Sequence, residues 1–349
     1  MTRFAPPLQL TNNEAVVEKK TIVGFDLLKF LMSMMIVAIH TKAFFDVDII
    51  RRLTAPLLNA AVPVFFILSS FFLFSKMEKS GFLWCVWMSF FKRISILYLF
   101  WFIITLPVTL YTRTDYWELS QPVLALTFFK DLFFSHTFGG SWFLSALVVG
   151  SLFVFLLKKY LNANNVVLLL LAIAVYIFVK CQDFFPNWLQ QPYLFLQHYI
   201  REEVELTFVT GFIWCAIGFI LAKKNFLECI TSRIYPKIQW FICLGLFLLS
   251  VLIQNEFKII VLPFFVVSMI IVAYSVKTRP TRGFLYLRNL SILIYLIHFV
   301  MLHIVSHFHP QGSLHIVYFI GVYISSLFLS MAILHLEKSP IFKVLKYAH

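Results

Sequence analysis

The sequence predicts an all-α, polytopic membrane protein with about ten transmembrane helices and both termini in the cytoplasm. Three observations predict it: an apolar excess, a series of apolar runs of spanning length, and a one-sided distribution of basic residues. Of 349 residues, 61% are hydrophobic and only 13% are charged, with a mean hydropathy of +0.87. A soluble domain is nearer half apolar and a quarter charged. Apolar surface on that scale needs lipid as part of its solvent.

A spanning helix takes about 20 mostly apolar residues. Such runs lie near 25–45, 54–74, 94–111, 141–157, 166–179, 204–221, 238–253, 257–276, 290–305 and 314–336. The fourth and fifth read as short. Residues 82–91, with Trp84 and Trp87, read as an interfacial segment leading into the third run. No alternating strand pattern competes, which excludes a β-barrel. Residues 1–20 read as a polar cytoplasmic tail without a signal-peptide core. Residues 21–338 form the membrane domain, and 339–349 a second cytoplasmic tail. With so little chain beyond the tenth run, chemistry is expected in the membrane part or in a partner.

The charges give the orientation. With the N-terminus inside, 20 of the 29 Lys and Arg fall on the cytoplasmic side, among them Lys92, Arg93, Arg279, Arg282 and Arg288. Eight fall outside, including Arg51, Arg52 and Arg201, and Lys29 lies within the first run. This is the positive-inside asymmetry. It also accounts for the net charge of +13 without nucleic acid, since no basic face or nucleic-acid motif is present. The five cysteines are scattered singly, which fits small buried side chains better than a disulfide framework or zinc. His303, His307, His309 and His315 cluster near one membrane face without carboxylate partners nearby in sequence, so no metal site is expected.

Ionisable residues inside the membrane are costly and mark candidate functional sites. The first run carries Asp26, Lys29, Ser33 and His40. Lys29 and His40 are eleven positions apart, about 20° from the same face and about 16 Å along the axis. Two readings stand: a functional polar stripe, or an Asp26–Lys29 interfacial pair with a snorkelling histidine. In the ninth run Ser291, Tyr295 and His298 recur at i, i+4 and i+7 on one face. The second run contains Pro63 and ends with Ser69 and Ser70 near the cytoplasmic side. Residues 138–147, FGGSWFLSAL, open the fourth run with two glycines and Trp142. Arg201, Glu202 and Glu203 precede the sixth as a solvated helix start.

Together these segments resemble the acyltransferase-3 family of membrane acyltransferases. Asp26, Lys29, His40 and Thr41 match its first helix, with Lys29 where arginine is commoner. Residues 62–69 match a VPxFFxxSG pattern, with Ser70 in place of glycine. The Lys92 and Arg93 pair precedes the third run, with Ile96 where many relatives have a second arginine. Residues 142–147 are similar to a WFLxxL motif, and Ser291, Tyr295, Leu296 and His298 match SxxxYLxH.

The resemblance implies an O-acyltransferase of a bacterial inner (plasma) membrane. It would transfer acetyl from acetyl-CoA, a donor substrate rather than a resident cofactor, to a hydroxyl of an extracytoplasmic glycan or lipid-linked sugar. His40 would be the general base, since histidine can take a hydroxyl proton near neutral pH. Lys29, paired with Asp26, would orient the donor. Lys92, Arg93 and Ser69 would contact it, and Tyr295 and His298 would stabilise the oxyanion or position His40. The rival reading is a transporter or flippase for a glycan or small anion. It is weakened by the lack of repeated polar sites in two halves.

Overall fold

The computed structural model describes residues 22–112, 120–134, 136–200, 204–253, 257–308 and 314–349. The expected N-terminal tail, and Arg201, Glu202 and Glu203, lie outside the described residues. Every regular element described is helical. In chain order the α-helices are α1 (Val23–Thr41), α2 (Asp48–Ser80), α3 (Trp84–Thr112), α4 (Gln121–Phe134), α5 (Ser141–Lys159), α6 (Asn165–Lys180), α7 (Asn187–Ile200), α8 (Phe208–Leu221), α9 (Phe226–Arg233), α10 (Pro236–Leu252), α11 (Lys258–Ser275), α12 (Arg282–Ser306) and α13 (His315–Leu336). A 3-10 stretch, Pro340–Ala348, follows.

All ten apolar runs fall on helices, but they do not make ten equal spans. Seven helices are long and apolar enough to cross a bilayer, and eight if α9 and α10, bent by 100° at a short break, form one broken span. The remaining two, α6 and α8, have 16 and 14 residues. At 1.5 Å per residue they reach about 24 and 21 Å, against a hydrocarbon core of about 30 Å. Ten crossings are reached only if these two cross as well. The expected shortness of the fourth run is corrected, because α5 has 19 residues.

Other boundaries also move. Residues 84–91 are not a separate interfacial segment but the first turns of the 29-residue α3. Helix α2 has 33 residues, so Arg51 and Arg52 lie in its opening turns rather than in a loop. Ser69 and Ser70 sit about ten residues before its end, well inside it. The short helices α4, α7 and α9 had no counterpart among the runs, because their apolar stretches are below spanning length. The C-terminal stretch packs back onto the bundle: the Trp101 indole donates to the Ala348 carbonyl at 2.9 Å, and Ala348 is buried.

Burial separates centre from periphery. In α2, 72% of the apolar window is buried, against 17% in α13. Helix α1 packs against α2, α11, α12 and α13, while α2 packs on α8, which is covered by α5 and α6. Large apolar side chains point outward from the peripheral helices, among them Leu170, Phe241, Phe264 and Phe328. Lipid is the solvent for such a surface.

Without a hydrophobic drive between helices in lipid, close backbone approach does the packing. Gly24 is the tightest case: a β-carbon there would lie 1.8 Å from the Ala273 carbonyl oxygen of α11. Gly218 on α8 faces the Ser70 hydroxyl and the Ile67 carbonyl of α2, at 2.1 and 2.6 Å from such a carbon. Gly245 on α10 faces open space. Gly24→Val is therefore expected to destabilise the protein by about 1–3 kcal/mol or more through overpacking. Gly245→Ala should be neutral or stabilising by up to about 1 kcal/mol. Thermal melts of the two detergent-solubilised variants check the contrast.

The α1–α2 loop is tied to the start of α13. The Asp46 carboxylate accepts from His315 Nδ1 at 2.5 Å and from the His315 backbone N–H at 2.9 Å. This pairing also corrects the expectation that the histidines at this face lack carboxylate neighbours. The imidazole hydrogen bond holds the Asp46 carboxyl below the usual carboxylate range. A lowered folded pKa means a stabilising contribution that is present above about pH 3.9 and lost as pH falls through the folded value. The stability difference between the native protein and Asp46→Asn should thus vanish on acidification, as read by melts at a series of pH values.

Candidate functional site on helices α1 and α12

The strongest polar interaction between α1 and α12 is a bidentate ion pair. Arg288 Nε donates to Asp26 Oδ1 at 2.7 Å, and its Nη2 donates to Oδ2 at 2.9 Å. Asp26 is 1% exposed. This overturns the expected Asp26–Lys29 pairing. Arginine's planar fork matches both carboxylate oxygens, whereas an ammonium is a point charge. Lys29 is half-buried with Nζ 5.2 Å from the centroid of the Phe72 ring. It lies within electrostatic reach of Arg288, Asp26 and Arg93. Three cations and one carboxylate therefore gather at this end of the helix pair.

The third helix contributes Arg93, whose guanidinium lies 5.8 Å from the Phe90 ring centroid, and Lys92, which is exposed. Ser69 is half-buried on α2. Its neighbour Ser70 donates to the Phe66 carbonyl at 2.6 Å, which satisfies that hydroxyl inside its own helix. Ser33, between Lys29 and His40 on α1, does the same with the Phe30 carbonyl at 2.7 Å.

At the other end of α1 two histidines meet. The rings of His40 and His298 have centroids 5.2 Å apart and are tilted by 40°. His40 is exposed, and His298 is fully buried behind it. His298 Nδ1 lies 3.2 Å from the Ile294 carbonyl. A carbonyl can only accept, so this nitrogen carries the proton, and the neutral ring keeps Nε2 as an acceptor. Nε2 is buried and has no hydrogen-bond partner among the described residues.

Tyr295, the third member of the α12 stripe, does not point its hydroxyl at either histidine. It donates to the Gly140 carbonyl at 2.7 Å. Gly140 has φ +78°, in the left-handed region that favours glycine, and precedes α5. Ser141 Oγ accepts from the backbone N–H groups of Thr137 and Phe138 at 3.0 and 3.3 Å. Tyr98 and Thr137 share a hydrogen bond of 2.6 Å. Residues 136–140 are thus held as a shaped loop beside the histidines. Phe299 completes the group, with its ring centroid 4.7 Å from that of His40 and 4.0 Å from that of His298.

Two residues of this site escaped sequence reasoning. Arg288 was counted as a loop charge, because α12 was expected to begin near 290 rather than at Arg282. Its spacing of three to Ser291 was the available signal. Phe299 carried no signal among 42 phenylalanines. Among the described residues no group of three metal-ligating side chains occurs. Removing one partner of a buried ion pair strands a charge and costs about 3–5 kcal/mol. Arg288→Met should accordingly lower the yield of folded protein sharply, with Arg288→Met combined with Asp26→Asn recovering much of it. Size-exclusion profiles of the solubilised variants check this.

Comparison with known proteins places the chain in a family. A family model described as an acyltransferase domain matches residues 22–335. A curated Enterococcus faecalis protein named amino-acid racemase is 29% identical over 155 residues, covering 42% of this chain and 20% of that protein. The match thus spans about a fifth of that relative's length. No solved structure matches. The family match runs from the first turn of α1 to the end of α13, and on that ground the chain belongs to the acyltransferase-3 family of multi-pass membrane acyltransferases.

Proposed function

We propose that the protein is an O-acyltransferase that moves acetyl from cytoplasmic acetyl-CoA to a hydroxyl of an extracytoplasmic glycan or lipid-linked sugar, at a bacterial inner membrane. The observation that carries this reading is the exposed His40 backed by the buried His298, at the opposite end of α1 from the Lys29, Arg93 and Arg288 cluster. The cations suit the phosphates of a CoA donor. They also suit the positive-inside sense, which puts their end of the helices in the cytoplasm. Family membership favours the transferase over the transporter or flippase expected as its rival.

In the proposed reaction His40 removes the proton of the acceptor hydroxyl. The oxygen attacks the thioester carbonyl carbon, and the C–O bond forms as charge builds on the carbonyl oxygen. Collapse of the adduct breaks the C–S bond. The thiolate leaves and takes the proton that His40 holds, which restores the neutral imidazole. His298 Nε2, an acceptor without a partner among the described residues, suits a hydrogen bond from the proton-bearing nitrogen of His40, leaving the other nitrogen free as the base. Tyr295 acts through the Gly140 carbonyl and is a positioning residue in this scheme.

The test is transfer of label from radioactive acetyl-CoA to membrane glycan by the purified protein in lipid discs. His40→Ala should cut transfer by about 10²–10⁴-fold, the usual worth of a general base. Lys29→Met should raise the KM for acetyl-CoA about tenfold or more, and Lys29→Arg should be tolerated. Full transfer by His40→Ala would overturn the catalytic assignment.

A further inference from the structure

Residues 337–349 fold back against the bundle at one membrane face. Helix α13 begins at His315, which pairs with Asp46 just beyond the His40 end of α1. It therefore ends at the opposite face, where Lys29, Arg93 and Arg288 gather. The stretch that follows, Pro340–Ala348, is 3-10 in form and kinked at Phe342. Side chains three apart eclipse one another in a 3-10 helix, so the sequence PIFKVLKYA sorts into three rows.

One row docks on the protein. Phe342 is exposed, Leu345 is half-buried and Ala348 is fully buried, with its carbonyl accepting from the Trp101 indole of α3 at 2.9 Å. The second row faces away: Ile341, Val344 and Tyr347 are 84%, 56% and 54% exposed. The third row carries Lys343 and Lys346, both exposed, with Lys338 exposed just before it. We infer that this stretch is a binding surface for anionic phospholipid, with Ile341, Val344 and Tyr347 in the acyl boundary of the leaflet and Lys338, Lys343 and Lys346 on the headgroup phosphates. The inference does not depend on the transferase reading.

Charge and continuity select the partner. Glu337 is the one acid in residues 337–349, and His349 Nε2 lies 2.6 Å from its Oε2. That carboxylate is thus engaged within the stretch, against three lysines. Lysines beside exposed apolar side chains are the composition of segments that lie in the interface of an anionic bilayer. A zwitterionic leaflet would cover the apolar row and leave the lysines without counter-charge. The apolar row also continues a lipid-facing surface, since Phe328, Leu329, Met331 and Leu336 of α13 are exposed as well. A soluble acidic partner would have to displace the bilayer from that adjoining surface, whereas lipid is already there. The Trp101 bond and the His349–Glu337 contact hold the end of the stretch in place. Its outer rows are presented without the ordering cost that a free tail would incur.

The test reads burial of the apolar row in the full-length protein. Val344→Cys places a thiol in that row, and mass spectrometry separates its labelling by a water-soluble maleimide from labelling of Cys85 and Cys229. Labelling at residue 344 is expected to be about fivefold or more slower in discs of phosphatidylglycerol than in discs of phosphatidylcholine, the factor that one lysine contributes near an anionic surface. Adding Lys343→Gln with Lys346→Gln should remove most of that difference, and Lys343→Arg with Lys346→Arg should keep it. Equal rates in the two kinds of disc, or a difference that survives the glutamine pair, would overturn the inference. Slow labelling that is the same in detergent and in both discs would overturn it too, because protein would then cover the row. Inorganic phosphate or glycerol phosphate added to phosphatidylcholine discs should leave the rate unchanged; slowing by either would replace the lipid with a soluble phosphate ligand.

Discussion

The pair between Asp26 and Arg288 sets the register of α1 against α12, and the rest of the site follows from that register. The two helices run parallel with their N-terminal ends joined. From Asp26 to His40 is fourteen residues, about 21 Å, and from Arg288 to His298 is ten residues, about 15 Å. The long arginine side chain takes up much of the difference, and the two imidazoles arrive with their centroids 5.2 Å apart. A slip of one helical turn, about 5.4 Å, would part them. A buried ion pair is weak evidence for net stability, and its best-attested use is to specify one arrangement among several. That use fits here, where a two-pronged bond at one end fixes a ring contact at the other.

The site has a graded order from buried to open. Tyr295 and His298 are buried, and Phe299 is half-buried beside them. His40 is open. Tyr295 supports the Gly140 loop, the loop makes room for Phe299, and Phe299 packs on both imidazoles. The base of the proposed reaction, His40, would thus be positioned by residues whose own freedom is already spent. His298 Nε2, a buried atom with no hydrogen-bond partner among the described residues, belongs to this supporting layer. Most other buried polar side chains nearby, such as Ser33, Thr41 and Ser70, are satisfied within their own helices.

What could be read from the sequence was what lipid dictates. Apolar runs of spanning length located every long helix, because hydrocarbon tolerates little else. The stripes on α1 and α12 could be read because helical periodicity and the cost of intramembrane polarity both point at the same residues. The partner of Asp26 could not. Sequence proximity favoured Lys29, but the bond is made across 262 positions by Arg288. The charge asymmetry behind the expected orientation also hid Arg288, since the same residue can count as a loop cation and pair with a buried carboxylate. The α4 and α7 helices, of 14 residues each, were missed because they fall below spanning length. The contacts of Phe299 were beyond reach, because they join α1, α12 and the 136–140 loop, whose packing no periodicity encodes.

The proposed chemistry makes the length of α1 a functional quantity. The cation cluster and His40 are about 16 Å apart along the helix axis. A donor held by its phosphates at one end must therefore extend an arm along the α1–α12 seam to bring its thioester to the other. An acceptor hydroxyl would meet the same imidazole on its exposed side. Neither substrate then needs to cross the bilayer whole, because only the acyl group passes between them. The ion pair at Asp26 and the glycine pair under Phe299 would serve that one end: the first fixes where the base sits along the seam, and the second fixes the wall it faces.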